Sequence, residues 1–265
     1  MLEITILASG SAGNAALVRC GGTSILLDAG LSARRLCERL ESCGVAPQDL
    51  AAIVLTHEHG DHTSALRVLC GRCDLPVYAN RQTAAALQAG SMEGCRNWRF
   101  FSNGAPFSIG DLSLEAFSVP HDAVDPVGFV IRNASVSFGL LTDLGHATQL
   151  VLERMREVDA LFVETNYDED LLQRDTRRPW SVKQRISSRH GHLSNRAAAD
   201  VVGQLLGGNL STILLGHLSR DCNSEALAMG AIAAVLEREG RADLPVHCAT
   251  QDVATPRFTI GSLVS

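Results

Sequence analysis

Three imidazoles and a carboxylate stand at the spacing H-x-H-x-D-H within six residues of this 265-residue chain, in Thr56-His57-Glu58-His59-Gly60-Asp61-His62, directly after the apolar run Ile53-Val54-Leu55. Imidazoles packed this closely repel one another once any of them protonates. A divalent cation removes the conflict, because neutral imidazole and carboxylate are ligands that Zn²⁺ and its neighbours prefer. The pattern constrains the fold as well as the chemistry. A buried strand must end here, and a tight turn at Gly60 must follow. That turn aims His57 and His59 at one point, and Asp61 and His62 at a second beside it.

The same form, an apolar run closed by a polar residue, recurs along the chain. Ile25-Leu26-Leu27 ends in Asp28, and Leu112 to Val119 leads into Pro120-His121. Gly139-Leu140-Leu141-Thr142 ends in Asp143, and Ile213-Leu214-Leu215-Gly216 in His217. Polar residues that each terminate a hydrophobic strand are what ligands projecting from one edge of a sheet require. Strands are predicted at Glu3–Ala8, Ala15–Arg19, Thr23–Asp28, Leu112–Val119, Gly128–Arg132, Val136–Thr142, Ala160–Glu164 and Thr212–Gly216. Helices are predicted at Ser32–Cys43, Asp61–Cys70, Gln82–Ala89, Thr148–Glu157, Asn195–Leu206 and Ser224–Arg238, the last two capped by Ser194 and Asn223. Two halves rich in alternating β and α elements predict an α/β fold with two sheets inside and helices outside. With no visible repeat or linker, residues 1–265 read as a single domain.

Composition narrows the function. A chain that is 46% hydrophobic and 20% charged is of ordinary globular type. Neither a membrane-length apolar stretch nor a secretion signal is visible. The scattered cysteines point to a reducing cytoplasm, and Cys70-Gly71-Arg72-Cys73 is a lone C-x-x-C read as incidental. The net charge of −6 excludes bulk electrostatic coating of nucleic acid, though not a local basic groove. Such a groove has a candidate in the window Arg174 to Arg189, where Arg174, Arg177, Arg178, Lys183, Arg185 and Arg189 surround Trp180. Cations for phosphates and an aromatic for stacking are what a nucleic-acid path needs.

The H-x-H-x-D-H segment resembles the signature of the metallo-β-lactamase fold, which His57, Glu58, His59, Gly60, Asp61 and His62 match without a gap. The resemblance implies an αββα sandwich and two divalent metal ions, Zn²⁺ or Mn²⁺. His57, His59 and His121 would hold one ion, and Asp61, His62 and His217 the other. Asp143 would bridge them, with Asp28 bracing the metal loop. Ser9-Gly10-Ser11-Ala12-Gly13-Asn14, Gly191-His192-Leu193-Ser194-Asn195 and Gly216-His217-Leu218-Ser219 narrow the likeness to the WalJ (YycJ-like) family of 5′→3′ exonucleases acting on DNA. That family implies metal-assisted hydrolysis of phosphodiesters, with Asp61 orienting the attacking water and His192, paired with Glu164, assisting the departing oxygen. Glu164 occupies the place of a His-Glu-Ala-Thr motif in tRNA-processing nucleases of this fold, of which the Glu alone matches. Ser9, Ser11, Asn14 and Ser194 are expected to contact substrate. A homodimer is a common assembly for the fold. The competing reading is a hydrolase of small phosphodiesters, or of thioesters, on the same scaffold.

Overall fold

Strands buried on both faces lose the apolar–polar alternation and read as continuous hydrophobic runs, and the runs that end in Asp28, Asp143 and His217 are of this kind. The computed structural model describes residues 1–90 and 95–261. Its first sheet opens as a meander of β1 (Leu2–Ala8), β2 (Ala15–Cys20) and β3 (Thr23–Leu27). Helix α1 (Ala33–Ser42) follows, and then β4 (Ala52–Val54). The helix predicted over Asp61–Cys70 is instead two, α2 (Gly60–Thr63) and α3 (Leu66–Arg72). Then come β5 (Val77–Ala79), α4 (Arg81–Ala89) and β6 (Trp98–Phe100).

The second sheet begins with β7 (Pro106–Ile109), β8 (Leu112–Ser118), β9 (Val127–Arg132) and β10 (Ser137–Leu141). It continues through α5 (Gln149–Met155) and β11 (Ala160–Glu164). Helix α6 (Glu169–Arg174) leads into the basic window, read from sequence only as a path, which carries α7 (Trp180–Ile186). Helix α8 (Asn195–Leu205), β12 (Thr212–Gly216), α9 (Glu225–Arg238), β13 (Val246–Cys248) and β14 (Phe258–Ile260) complete the described chain.

The sheets are ordered β14-β1-β2-β3-β4-β5-β6 and β13-β12-β11-β10-β9-β8-β7. In each, an antiparallel run turns parallel: β1–β2–β3 leads into β4–β5–β6, and β8–β9–β10 into β11–β12–β13. The halves therefore share one topology although no repeat is legible in their residues. Ile25 and Leu27 face inward, where they meet Phe129, Phe138, Phe162 and Leu214 of the opposite sheet. Leu26, between them, faces out against Leu36 and Leu40 of α1 and Leu66 and Leu69 of α3. Ile213 and Leu215 likewise face out, under α5, α8 and α9. The layers are helix, sheet, sheet, helix, the expected αββα sandwich. Among the described residues no helix is long and apolar enough to cross a membrane.

Two local expectations change. Ser224, not Asn223, caps α9 by accepting the Leu227 N–H, while Asn223 Nδ2 donates to the Thr165 carbonyl at 2.7 Å. A residue deep enough to reach a neighbouring strand end is more use as a clamp than as a cap. The C-x-x-C read as incidental has one member engaged: Cys70 pairs with Cys95, in a disulfide between α3 and the approach to β6, with a Cα separation of 5.0 Å. A spacing of 25 residues gives no local sign of that bond.

Candidate metal centre

Five strands deliver side chains to one edge: Asp28 after β3, Thr56 and His57 after β4, Asp143 after β10, Glu164 at the end of β11 and His217 after β12. Three of these, Asp28, Asp143 and His217, adopt positive φ angles of 57°, 53° and 56°. The left-handed region is uncommon for residues with a Cβ and costs each about 1–2 kcal/mol. Their strain turns each side chain off its strand and into the cleft.

His57, His59 and His121 bring one ring nitrogen each within 4.8 Å of one another. His57 Nδ1 is 3.0 Å from Thr56 Oγ1, and His121 Nδ1 donates to the Gly191 carbonyl at 2.9 Å. The Nε2 atoms of both His57 and His121 are buried without a hydrogen-bond partner. An orphaned buried ring nitrogen is costly unless something occupies its lone pair, so these residues fit a metal ion. Burial pushes His57 well below the usual imidazole range, helped by the positive charge of His62, and burial lowers His121 as well. Both are thereby held in the neutral, ligating form.

The second cluster centres on Asp143. Its Oδ1 is 3.7 Å from His121 Nε2, while its Oδ2 lies 3.1 Å from both His62 Nε2 and His217 Nδ1. One carboxylate thus addresses both clusters. Asp61 Oδ2 stands 3.5 Å from His62 Nε2 and 3.8 Å from His217 Nε2. Two further sets also bring one donor atom each within 4.8 Å of one another: His57, His62 and Asp143, and Asp143, Glu164, His192 and His217. Asp61 belongs to neither set but borders both. The charges differ from those of the first cluster. Burial opposes charge on His62, yet Asp143 and Asp28 lift it well above the imidazole range. His217 is raised against burial by Asp143. Asp143, resisting burial, is held well below the carboxylate range by His217 and His62. Imidazole must be neutral to ligate, so an ion held by His62 and His217 would be bound with release of protons.

Asp28 braces the loop. Its Oδ2 accepts from His62 Nδ1 at 2.7 Å and from Thr56 Oγ1 at 2.9 Å, and its Oδ1 from the Thr56 N–H at 2.8 Å. This fixes the tautomer that leaves His62 Nε2 facing Asp143. Gly30 lets the chain pass so near the Asp61 carbonyl that a Cβ there would overlap it.

Of the expected substrate contacts, three are engaged within the protein. Ser9 Oγ accepts the His217 N–H at 2.6 Å. Asn14 Nδ2 donates to Asp61 Oδ2 at 3.2 Å, and Ser194 caps α8 and donates to Glu169 Oε1. All three are buried, which makes them supports of the centre, whereas Ser11 is exposed. Sequence reasoning missed the residues that hold these supports. Gln251 grips the Gly-Ser loop by accepting the Ala12 N–H at 2.8 Å and donating to the Gly13 carbonyl at 2.7 Å. Asn166 donates to the His217 carbonyl at 2.8 Å. Neither sits in a periodic pattern, and a buried amide far along the chain carries no local signal.

Beside the second cluster, His192 Nδ1 is 2.6 Å from Glu164 Oε1, while Glu164 Oε2 accepts the Leu144 and Leu193 N–H groups. Against burial, Glu164 raises His192 to about 9. An imidazolium stable at neutral pH, with Nδ1 held, can present its other N–H to a leaving group.

Residues 23–213 match the model of the beta-lactamase superfamily domain. The chain is 34% identical over 261 residues to the exodeoxyribonuclease WalJ of Streptococcus pneumoniae serotype 2 (strain D39 / NCTC 7466), covering 96% of each chain. It is 35% identical over 241 residues to the exodeoxyribonuclease YycJ of Bacillus anthracis, covering 90% of each. Among solved structures, the metallo-beta-lactamase fold protein YhfI from Bacillus subtilis superposes with a TM-score of 0.76 at 18% identity, over 96% of this chain and 99% of that one. Zn²⁺-bound PqqB from Methylobacterium extorquens superposes with a TM-score of 0.73 at 17% identity, over 96% and 99%. At such identities the structural likeness speaks for the fold alone.

Proposed function

Because this chain belongs to the beta-lactamase superfamily and, within it, to the family of the WalJ and YycJ exodeoxyribonucleases, we propose that it degrades DNA from the 5′ end by hydrolysing phosphodiester bonds. The protein is a metal-dependent hydrolase. In the proposal His57, His59 and His121 hold one divalent ion, Asp61, His62 and His217 hold a second, and Asp143 lies between them. Zn²⁺ and Mn²⁺ both suit this nitrogen and oxygen donor set. Such ions lower the pKa of water and neutralise charge building on a phosphate.

The protein's own groups supply the rest. Asp61 orients the attacking water. His192 gives its proton to the oxygen that departs from phosphorus, while Glu164 keeps the ring charged and aimed. Thr56, Asp28, Ser9 and Asn14 hold the ligands in place. The observation that carries this reading is the His192–Glu164 pair at 2.6 Å, set against the Asp143 carboxylate that addresses both clusters. A thioester hydrolase, with a thiolate to expel, would gain from the ions alone, but the poor alkoxide leaving group of a phosphodiester needs a proton donor. A cytoplasmic location, where the Cys70–Cys95 pair would stand reduced, and homodimeric assembly complete the proposal.

The test is digestion of 5′- and 3′-labelled duplex and single-stranded DNA and RNA by Mn²⁺-loaded protein, with His59→Ala and His192→Ala beside it. Release from the 5′ end of DNA is expected, lost in the first variant and slowed by about 10²–10⁴-fold in the second. Intact polymers with rapid turnover of bis(p-nitrophenyl) phosphate would replace this reading with that of a small-phosphodiester hydrolase.

A further inference from the structure

The cations of the basic window are not equivalent. Arg177 and Arg178 are engaged by Asp175 and Asp221. Lys183 Nζ donates to the Gln173 carbonyl, and Arg189 faces His146. Arg185 is different. Its Nε pairs with Asp122 Oδ2, and Asp122 Oδ1 lies 3.3 Å from His121 Nε2, the orphaned nitrogen of the first cluster. Among the described residues neither Nη of Arg185 makes a hydrogen bond, and its side chain is 64% exposed.

The backbone beneath Arg185 is fixed to the centre. His192 N–H donates to the Ile186 carbonyl at 2.9 Å, and Gly191, whose carbonyl receives His121 Nδ1, packs on the carbonyls of Arg185 and Ile186 so closely that a Cβ would collide with both. The backbone of Arg185 therefore stands at a set distance from His121 and His192, and its guanidinium is held at Nε with both Nη groups open. It also lies within electrostatic reach of Asp61. A solvated ion pair of this kind adds little to stability and exchanges readily. A phosphate diester offers the same fork of donors a bidentate partner.

Resting on the nuclease reading above, we propose that Arg185 is a contact for a substrate backbone phosphate at the mouth of the metal cleft, and that Asp122 holds its guanidinium in place until DNA takes over. Asp122 is then a competitor as well as a positioning residue. Removing its charge frees Arg185 and tightens DNA binding.

Wild type, Arg185→Gln, Arg185→Lys, Asp122→Asn and the double variant Asp122→Asn/Arg185→Gln are compared on labelled duplex DNA at several salt concentrations, with metal content measured for each. Arg34→Ala, an exposed cation of α1, serves as the control. Arg185→Gln is expected to raise KM about tenfold and reduce the slope of log KM against log salt by about 0.7–0.9, the signature of one lost phosphate contact. Arg185→Lys keeps the slope but not the whole affinity. Asp122→Asn lowers KM, and the double variant loses that gain. An unchanged KM and salt slope in Arg185→Gln, or a gain in Asp122→Asn that survives loss of Arg185, overturns the assignment. If wild type digests no polynucleotide, the nuclease reading fails first and this inference falls with it.

Discussion

Replacing Asp28 with Asn isolates a single bond of the centre. Asn tolerates the left-handed φ of 57° that Asp28 adopts, and its remaining oxygen can still accept the Thr56 N–H. What it loses is the charge-assisted bond from His62 Nδ1 at 2.7 Å, because the Thr56 hydroxyl, which bonds the same atom at 2.9 Å, can turn to accept from the new amide. Bonds to charged groups contribute about 1.5–3 kcal/mol. Loss of a partner that orients a metal-bound imidazole weakens metal binding by about 10–100-fold, which converts to about 1.4–2.7 kcal/mol. The two routes to the magnitude agree. His62 faces Asp143 and Asp61, while the set of His57, His59 and His121 is supported by Thr56 and Gly191. Asp28→Asn should therefore weaken one of the two metal equivalents and spare the other. Titrating chelator-stripped protein with Zn²⁺ against a competing chelator reads both. Two wild-type affinities in the variant, or equal weakening of both, would refute the separation of the centre into two independently braced halves.

The same geometry makes predictions elsewhere. His192 is raised from 6.5 to about 9 in the folded chain, so the stabilisation it contributes is complete below about pH 6.5 and disappears as the pH rises through 9. Its magnitude is about 3 kcal/mol. Urea unfolding of metal-free protein from pH 6 to 10 should show that slope added to those of His62 and His217, which are raised as well, and Glu164→Gln should remove the His192 share; an equal slope in the variant assigns the effect to those other groups. Gly30→Ala must displace the Asp61 carbonyl and should cost about 3 kcal/mol, so an unchanged urea midpoint would contradict the packing described. Free metal at 100 times its Kd should stabilise the fold by about 2.7 kcal/mol, and chelation should lower Tm accordingly. A Tm indifferent to chelator would mean that the ions do not bind the folded centre.

The parts of the centre that were legible in the sequence are those where a local rule and a chemical need coincide. His57 to His62 are dense enough to stand out. Asp28, His121, Asp143 and His217 each end or follow an apolar run whose burial sets the strand end. The unread parts depend on distance. Gln251 meets Ala12 across 239 positions and Asn166 meets His217 across 51, and no window of sequence contains both members of such a pair. Helix α7 escaped notice because it buries no residue, leaving no apolar stripe to give a helical period. Strands β5, β6, β13 and β14, three residues each, are too short to show alternation. Ser9, Asn14 and Ser194 were found but expected to face substrate, because a hydroxyl or amide in a Gly-rich loop reads alike whether it turns outward or in.

The three left-handed residues also bear on how the protein can be improved. At positions 28, 143 and 217 glycine would adopt the observed backbone without penalty, and each exchange would relieve strain while deleting a brace or a proposed ligand. In metal-free protein each exchange would also give up a bond to a buried charged partner worth about 1.5–3 kcal/mol, which offsets the relief. The ion pairs that position the centre are thus also what holds its backbone in the left-handed region, so any engineering of this scaffold has to select for stability and turnover in the same round.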